Sequence, residues 1–267
     1  MKNIVLRSIT GIFIIVAIIG SILLGKYPYF IVFGIINFLA LYEFYKTLEN
    51  KKIHPYMPMA LFTGIIMHTL FFFVAGGVLE IKWSLILIPM IAIIFISELF
   101  RKDPLFENVA FSLAGLIFIP VPLSFLHYLF FKGEGIYSLL LSFFILVWVY
   151  DTFAYLTGTR LGKNKLFKKI TPKKTWEGFI GGVVFTILSA YGISFLNNLF
   201  STSQWIIIAI IIVIFATFGD LVESMFKRNL ETKDTGALLP GHGGFMDRFD
   251  SVFMAAPVIY VYIYFLT

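Results

Sequence analysis

Nine continuous apolar runs constrain this chain more than any other feature. They lie near residues 8–25, 28–45, 56–78, 83–100, 108–131, 136–157, 177–199, 204–226 and 249–266. A helix needs about 20 apolar residues to cross a hydrocarbon core. Inside lipid the backbone must satisfy its own hydrogen bonds, which leaves only helices and closed barrels. These runs are continuous rather than alternating, so they argue against a barrel. The expectation is an all-α polytopic integral membrane protein with about nine transmembrane helices. Such spans fill roughly two thirds of the chain and leave no room for a separate soluble domain. Composition agrees: 59% of residues are hydrophobic, 13% are charged and mean hydropathy is +0.92. Soluble domains are about 25% charged, so a soluble, disordered or fibrous chain is ruled out. With no cysteine, disulfides, thiolate zinc sites and cysteine nucleophiles are excluded. Lys2 and Arg7 precede the first run as in a signal peptide. That run continues to about Leu24 without a small-x-small cleavage site, so it reads as a retained span.

Basic residues set the orientation. With nine spans, 18 of the 21 Lys and Arg fall in alternate segments on one side. The positive-inside rule makes that side cytoplasmic, with the N-terminus inside and the C-terminus outside. Residues 1–135 then hold about five N-terminal spans. Residues 136–267 hold about four more, with cytoplasmic loops at 158–176 and 227–248. Those two connections carry 11 of the 21 basic residues, a cationic surface beside a membrane. Topology control and attraction to anionic lipid explain part of it. A polyphosphate site is the sharper reading, and the acids favour it.

Charged groups inside spans are functional candidates by default. Asp151 lies near the end of the sixth span, Asp220 and Glu223 near the end of the eighth, Asp247 and Asp250 at the start of the ninth, and Glu177 opens the seventh. The deduced topology puts all of them at one membrane depth. Asp220, Glu223, Ser224 and Lys227 follow i, i+3, i+4, i+7 spacing on one helix face. For Glu223, an internal salt bridge with Lys227 is as good an explanation as a functional role. A helix-start charge cluster would likewise account for Asp247, Arg248 and Asp250. Neither idea explains Asp220, which follows a long apolar run with no basic residue at i±4.

Gly236, Gly241, Gly243 and Gly244 fall within nine residues of the connection before the ninth span. Glycines let backbone N–H groups curl around an anion, and a helix N-terminus follows. Lys227, Arg228, Lys233 and Arg248 flank the loop with the carboxylates, a combination suited to a metal-bound polyphosphate. His242 is a candidate phosphate donor, although a lone loop histidine is more often a packing residue. In the earlier connection Lys173 and Lys174 stand at the start of the next helix and are the favoured lysines there.

These residues resemble the phosphatidate cytidylyltransferases, or CDP-diacylglycerol synthases. The family signature runs Ser-x-x-Lys-Arg, four residues, Lys-Asp-x-Gly, then Leu-Pro-x-His-Gly-Gly-x-x-Asp-Arg-x-Asp. Ser224, Lys227, Arg228, Lys233, Asp234, Gly236, Leu239, Pro240, His242, Gly243, Gly244, Asp247, Arg248 and Asp250 stand at that spacing. Upstream, Asp151, Gly158, Pro172 to Thr175 and Glu177-Gly178 look similar. The specific motifs cover about residues 150–251. The resemblance implies transfer of CMP from CTP to phosphatidic acid, yielding CDP-diacylglycerol and pyrophosphate for phospholipid biosynthesis. It also implies Mg²⁺, with room for a second metal ion of unspecified identity, and a homodimer in the inner (cytoplasmic) membrane. Its polar cavity faces the cytoplasm and opens to lipid; nucleic acid is not an expected partner.

On this reading Asp220 and Asp247 are the leading metal ligands, with Asp151, Glu223 and Asp250 secondary. Lys227 and Arg248 join Asp220 and Asp247 as catalytic candidates. Lys173, Lys174, Ser224, Arg228, Lys233, Gly236, His242, Gly243 and Gly244 are the substrate-binding candidates. Rival readings are a CTP enzyme with another lipid acceptor, an ion-coupled transporter and a membrane-anchored binding protein. The position of the polar residues, at helix ends beside a basic loop, disfavours the transporter.

Overall fold

The computed structural model describes residues 2–133, 135, 138–232, 235, 236, 238, 239 and 243–266, with side chains from residue 9 onward. Among these residues there are ten α-helices. They are α1 (Lys2–Leu23), α2 (Lys26–Leu48), α3 (Met57–Ala75), α4 (Leu87–Leu99), α5 (Phe106–Phe118), α6 (Pro120–Phe130), α7 (Leu139–Leu161), α8 (Trp176–Leu196), α9 (Thr202–Asn229) and α10 (Met246–Tyr264). Each apolar run falls on helix. The fifth is broken into α5 and α6, because Pro120 lacks an N–H and disfavours a helical residue before it. Seven helical segments are long and apolar enough to cross a membrane, the pair α5–α6 counting as one. The apolar part of α1, Ile9–Leu23, is shorter. Helix α10 carries Asp247, Arg248 and Asp250 in its first turns.

Helix α9 positions much of the site. Its 28 residues start at a capping box between Ser201 and Gln204. At about 1.5 Å per residue, the first 18 residues span roughly 27 Å, close to a hydrocarbon core. The polar turns that begin at Asp220 therefore emerge at the membrane surface. Large apolar side chains such as Phe13 and Leu188 face outward, as lipid contact demands.

One element departs from the all-α expectation. The 158–176 connection contains an antiparallel hairpin of β1 (Lys165–Phe167) and β2 (Thr171–Thr175), with Lys165 opposite Thr175 and Phe167 opposite Thr171. Hydropathy does not register so short a pairing, which rests on cross-strand hydrogen bonds rather than an apolar run. Glu177 closes its base, accepting from the Lys163 and Asn164 N–H groups at 3.1 Å each and from the Asn164 amide at 2.7 Å. Thr175 caps α8 by accepting from Gly178 N–H at 3.2 Å.

Helices α7, α8, α9 and α10 pack against their neighbours, and α10 also lies against α2 and α6. One buried cluster runs from Ile18 to Ile263, so residues 1–135 and 136–267 share a core.

Candidate active site

A cavity of about 910 Å³ opens among α7, β2, α9 and α10. Asp151, Lys174, Asp220, Lys227, Asp247, Arg248 and Asp250 line one part of it. Gly11, Ile14, Ile15 and Ile18 of α1, with Phe144 and Trp148 of α7, line another. A charged end and an apolar wall thus belong to one space.

Three carboxylates converge at the charged end. Asp220, Glu223 and Asp250 each offer an oxygen, all within 4.8 Å of one another. Gly219 makes this approach feasible, since a Cβ there would collide with the Asp250 backbone oxygen. The i, i+3 spacing puts Asp220 and Glu223 on the face that meets α10.

Cations balance the acids. Lys174 reaches from β2 to Asp220 Oδ2 at 2.5 Å. The Ser224 hydroxyl donates to Asp220 Oδ1 at 3.1 Å. Lys227 Nζ bridges Glu223 Oε2 at 2.6 Å and Asp247 Oδ1 at 2.8 Å. Glu223 is fully buried, so its charge depends on such a partner. Glu223 therefore makes the helical salt bridge and also joins the carboxylate cluster. Asp151 accepts from the Ser251 hydroxyl at 3.4 Å. Asp250 Oδ1 accepts from the N–H of Ser251 at 2.6 Å.

Asp247 lines the same cavity and shares Lys227 with Glu223, and it also holds the loop. Its Oδ2 accepts from Gly244 N–H at 2.8 Å and Thr235 N–H at 3.2 Å, while Lys227 takes the other oxygen. It is the loop-holding residue at the start of α10. Glu223 and Asp250 are the carboxylates that cluster with Asp220. Lys173 lines the cavity beside Lys174, whereas Arg228 is exposed and is not among the cavity-lining residues. Lys233 and His242, with Asp234, Pro240 and Gly241, lie outside the described residues.

The described glycines of the loop, Gly236, Gly243 and Gly244, pack against the protein itself. Gly243 adopts φ 80°, a conformation suited to glycine, and its carbonyl accepts from Leu239 N–H at 3.0 Å. Gly236, Gly243 and Gly244 are absent from the cavity wall. Gly236 and Gly244 instead pack against the carboxylate of Glu43 from α2. Glu43 Oε2 accepts from the N–H of Met246, the first residue of α10, at 3.1 Å. The anion position at this helix N-terminus is therefore filled by protein carboxylates. Sequence reasoning missed Glu43, although a carboxylate within an apolar run was a signal that could have found it.

The carboxylate cluster fits a divalent cation. It supplies three hard oxygen donors, the preference of Mg²⁺. Like charges so close together need positive charge between or beside them, and Lys174 and Lys227 supply some of it.

The Cytidylyltransferase family model matches residues 5–266. A phosphatidate cytidylyltransferase of Rickettsia bellii is 36% identical over 224 residues, covering 79% of this chain and 92% of that protein. One from Bacillus subtilis is 30% identical over 264 residues and covers 95% of each chain. One from Staphylococcus haemolyticus is 38% identical over 156 residues, 58% of each chain. With a family match along nearly its whole length and relatives of this extent, the chain belongs to the cytidylyltransferase family.

Proposed function

We propose that this multi-pass membrane protein transfers CMP from CTP to phosphatidic acid, forming CDP-diacylglycerol and releasing pyrophosphate. The observation that carries the reading is the joined cavity, whose carboxylates and lysines adjoin an apolar wall of α1 and α7. Such a space suits a triphosphate meeting the phosphate head of a lipid. The relatives' names specify phosphatidate and a cytidylyl group.

In the proposed step an oxygen of the lipid phosphate bonds to the α-phosphorus of CTP. The bond from that phosphorus to the oxygen bridging to the β-phosphate breaks, and pyrophosphate leaves with the electron pair. A phosphate monoester has a second pKa near about 6, so it is largely ionised at neutral pH and needs no strong base. Rate acceleration then rests on alignment and charge neutralisation. Lys173, Lys174 and Arg248 face the cavity and hold phosphate oxygens. Lys227 fixes Glu223 and Asp247, and Ser224 orients Asp220. Asp220, Glu223 and Asp250, with Asp151 and Asp247 beside them, would hold a divalent cation, Mg²⁺ by donor chemistry, which would further neutralise phosphate charge. The positive-inside count supports nine spans with the site facing the cytoplasm. A homodimer in the cytoplasmic membrane is the proposed assembly, from the family resemblance.

Pyrophosphate release tests the reading. Purified protein in detergent is given phosphatidic acid, Mg²⁺ and each of the four NTPs, with Asp220→Asn alongside. The expected result is release with CTP alone, dependent on lipid and lost in the variant. Equal release without phosphatidic acid, or none with any NTP, would overturn it.

A further inference from the structure

We infer that Glu43 is a positioning residue for this site, a protein carboxylate that holds the glycine-rich loop and the start of α10 so that Asp247, Arg248 and Asp250 are correctly presented. Glu43 lies 203 residues before Met246, whose N–H donates to it. It is only 2% exposed and does not line the cavity, so it acts through other groups. The other oxygen, Oε1, is buried without a hydrogen-bond partner among the described residues and lies against Gly236. One turn later on α2, the Thr47 hydroxyl donates to the Thr235 carbonyl at 2.6 Å. Helix α2 therefore grips both sides of the loop. Opposite charge at a helix N-terminus is favourable, and here it is built in rather than supplied by ligand.

Two glycines record the fit. A Cβ on Gly236 would stand 2.5 Å from Glu43 Oε1, and all three of its nearest neighbours would be Glu43 atoms. A Cβ on Gly244 would stand 2.5 Å from Glu43 Oε2. The glycines leave room for an anion, and the anion is Glu43. The next residues along α10 are those that meet Lys227 and enter the cavity, so a shift of the loop moves them.

This inference builds on the proposed reaction only for its activity readout. Its first readout is hydrogen exchange at the amides of Gly244 and Met246 in the full-length protein without substrate. Glu43→Ala should speed exchange there while distant helices keep their protection. Turnover should fall about 10- to 100-fold, the scale of a lost charge-assisted hydrogen bond. The effect should lie in kcat, with KM for phosphatidic acid changed less than about threefold because Glu43 does not touch the cavity. Glu43→Gln keeps an acceptor oxygen and should recover most of the loss. Gly236→Ala should impair the otherwise unchanged protein but cost less than about twofold in the Glu43→Ala background, where its obstacle is gone. Should Glu43→Ala fail to fold, Thr47→Val, which removes the other hold of α2 on the loop, carries the exchange measurement. Unchanged loop exchange in folded Glu43→Ala or in Thr47→Val, or an equal Gly236→Ala cost in both backgrounds, would overturn the inference. Altered exchange in a protein with no CTP-dependent turnover would support Glu43 and sink the reaction instead.

Discussion

Removing the Lys227 cation while leaving its neighbours intact should expose how the buried charges are balanced. Lys227 Nζ lies 2.6 Å from Glu223 and 2.8 Å from Asp247, and the Glu223 side chain is fully buried. At an effective dielectric of about 20, unit charges 4 Å apart interact by about 4 kcal/mol, and these contacts are closer. Desolvation offsets much of that attraction, so the triad as a whole adds little net stability. Breaking it is another matter. Lys227→Met should cost about 3–5 kcal/mol, because Glu223 remains buried without its counter-charge. Glu223→Gln should then change sign with background. Alone it should destabilise by about 1–2 kcal/mol through a weakened hydrogen bond. In the Lys227→Met protein it should restore about 2 kcal/mol by deleting the stranded charge. Reversible unfolding in mixed detergent would report both numbers, and neither double nor single variant should regain turnover. If Glu223→Gln destabilised the protein equally in both backgrounds, the charge-balance argument would fail.

Asp250→Asn should raise metal-free stability by about 1–2 kcal/mol, since one of three crowded carboxylates loses its charge. The same variant should lose the rise in unfolding midpoint that millimolar Mg²⁺ gives the native protein; an unchanged Mg²⁺ response would count against the cluster. Gly219→Ala places a methyl against the Asp250 carbonyl and should cost about 1–3 kcal/mol along with turnover. Full activity in that variant would show that α9 and α10 need not approach so closely. Glu98 receives Asn108 Nδ2 at 2.7 Å, Leu105 N–H at 3.0 Å and Arg101 Nε at 3.2 Å. Glu98→Ala should cost about 2–4 kcal/mol in unfolding but leave kcat nearly intact, because none of these groups lines the cavity. A selective loss of kcat would refute that separation.

Much of the architecture was legible because hydropathy is a local property. The runs located the helices, and the i, i+4 pair of Glu223 and Lys227 appears as expected. Pairings between distant segments were not legible. Asp220 looked isolated because no basic residue stood at i±4, yet its partner Lys174 comes from a hairpin that hydropathy does not reveal. The charge cluster at the start of α10 proved to have two parts. Asp247 ties down loop N–H groups, while Asp250 joins the acids of α9. The break at Pro120 was written in the sequence but masked by the apolar residues around it. Glu43 sat near the end of the second run, where a carboxylate reads as interfacial until the loop from the far end of the chain is seen against it.

The grip of α2 on the start of α10 also has a consequence in time. At about 5–20 residues per second, a ribosome needs roughly 10–40 s to go from Glu43 to Met246. Throughout that interval α2 holds a carboxylate without its final backbone donor, and α9 later adds Asp220 and Glu223 without Asp250. The charged end of the cavity is therefore the last part of the molecule to be completed, although one of its supports is among the first parts made. A nascent chain that has inserted eight of its nine apolar segments already pairs Asp220 with Lys174 and Glu223 with Lys227, but it still lacks Asp247, Arg248 and Asp250 and the backbone donor to Glu43.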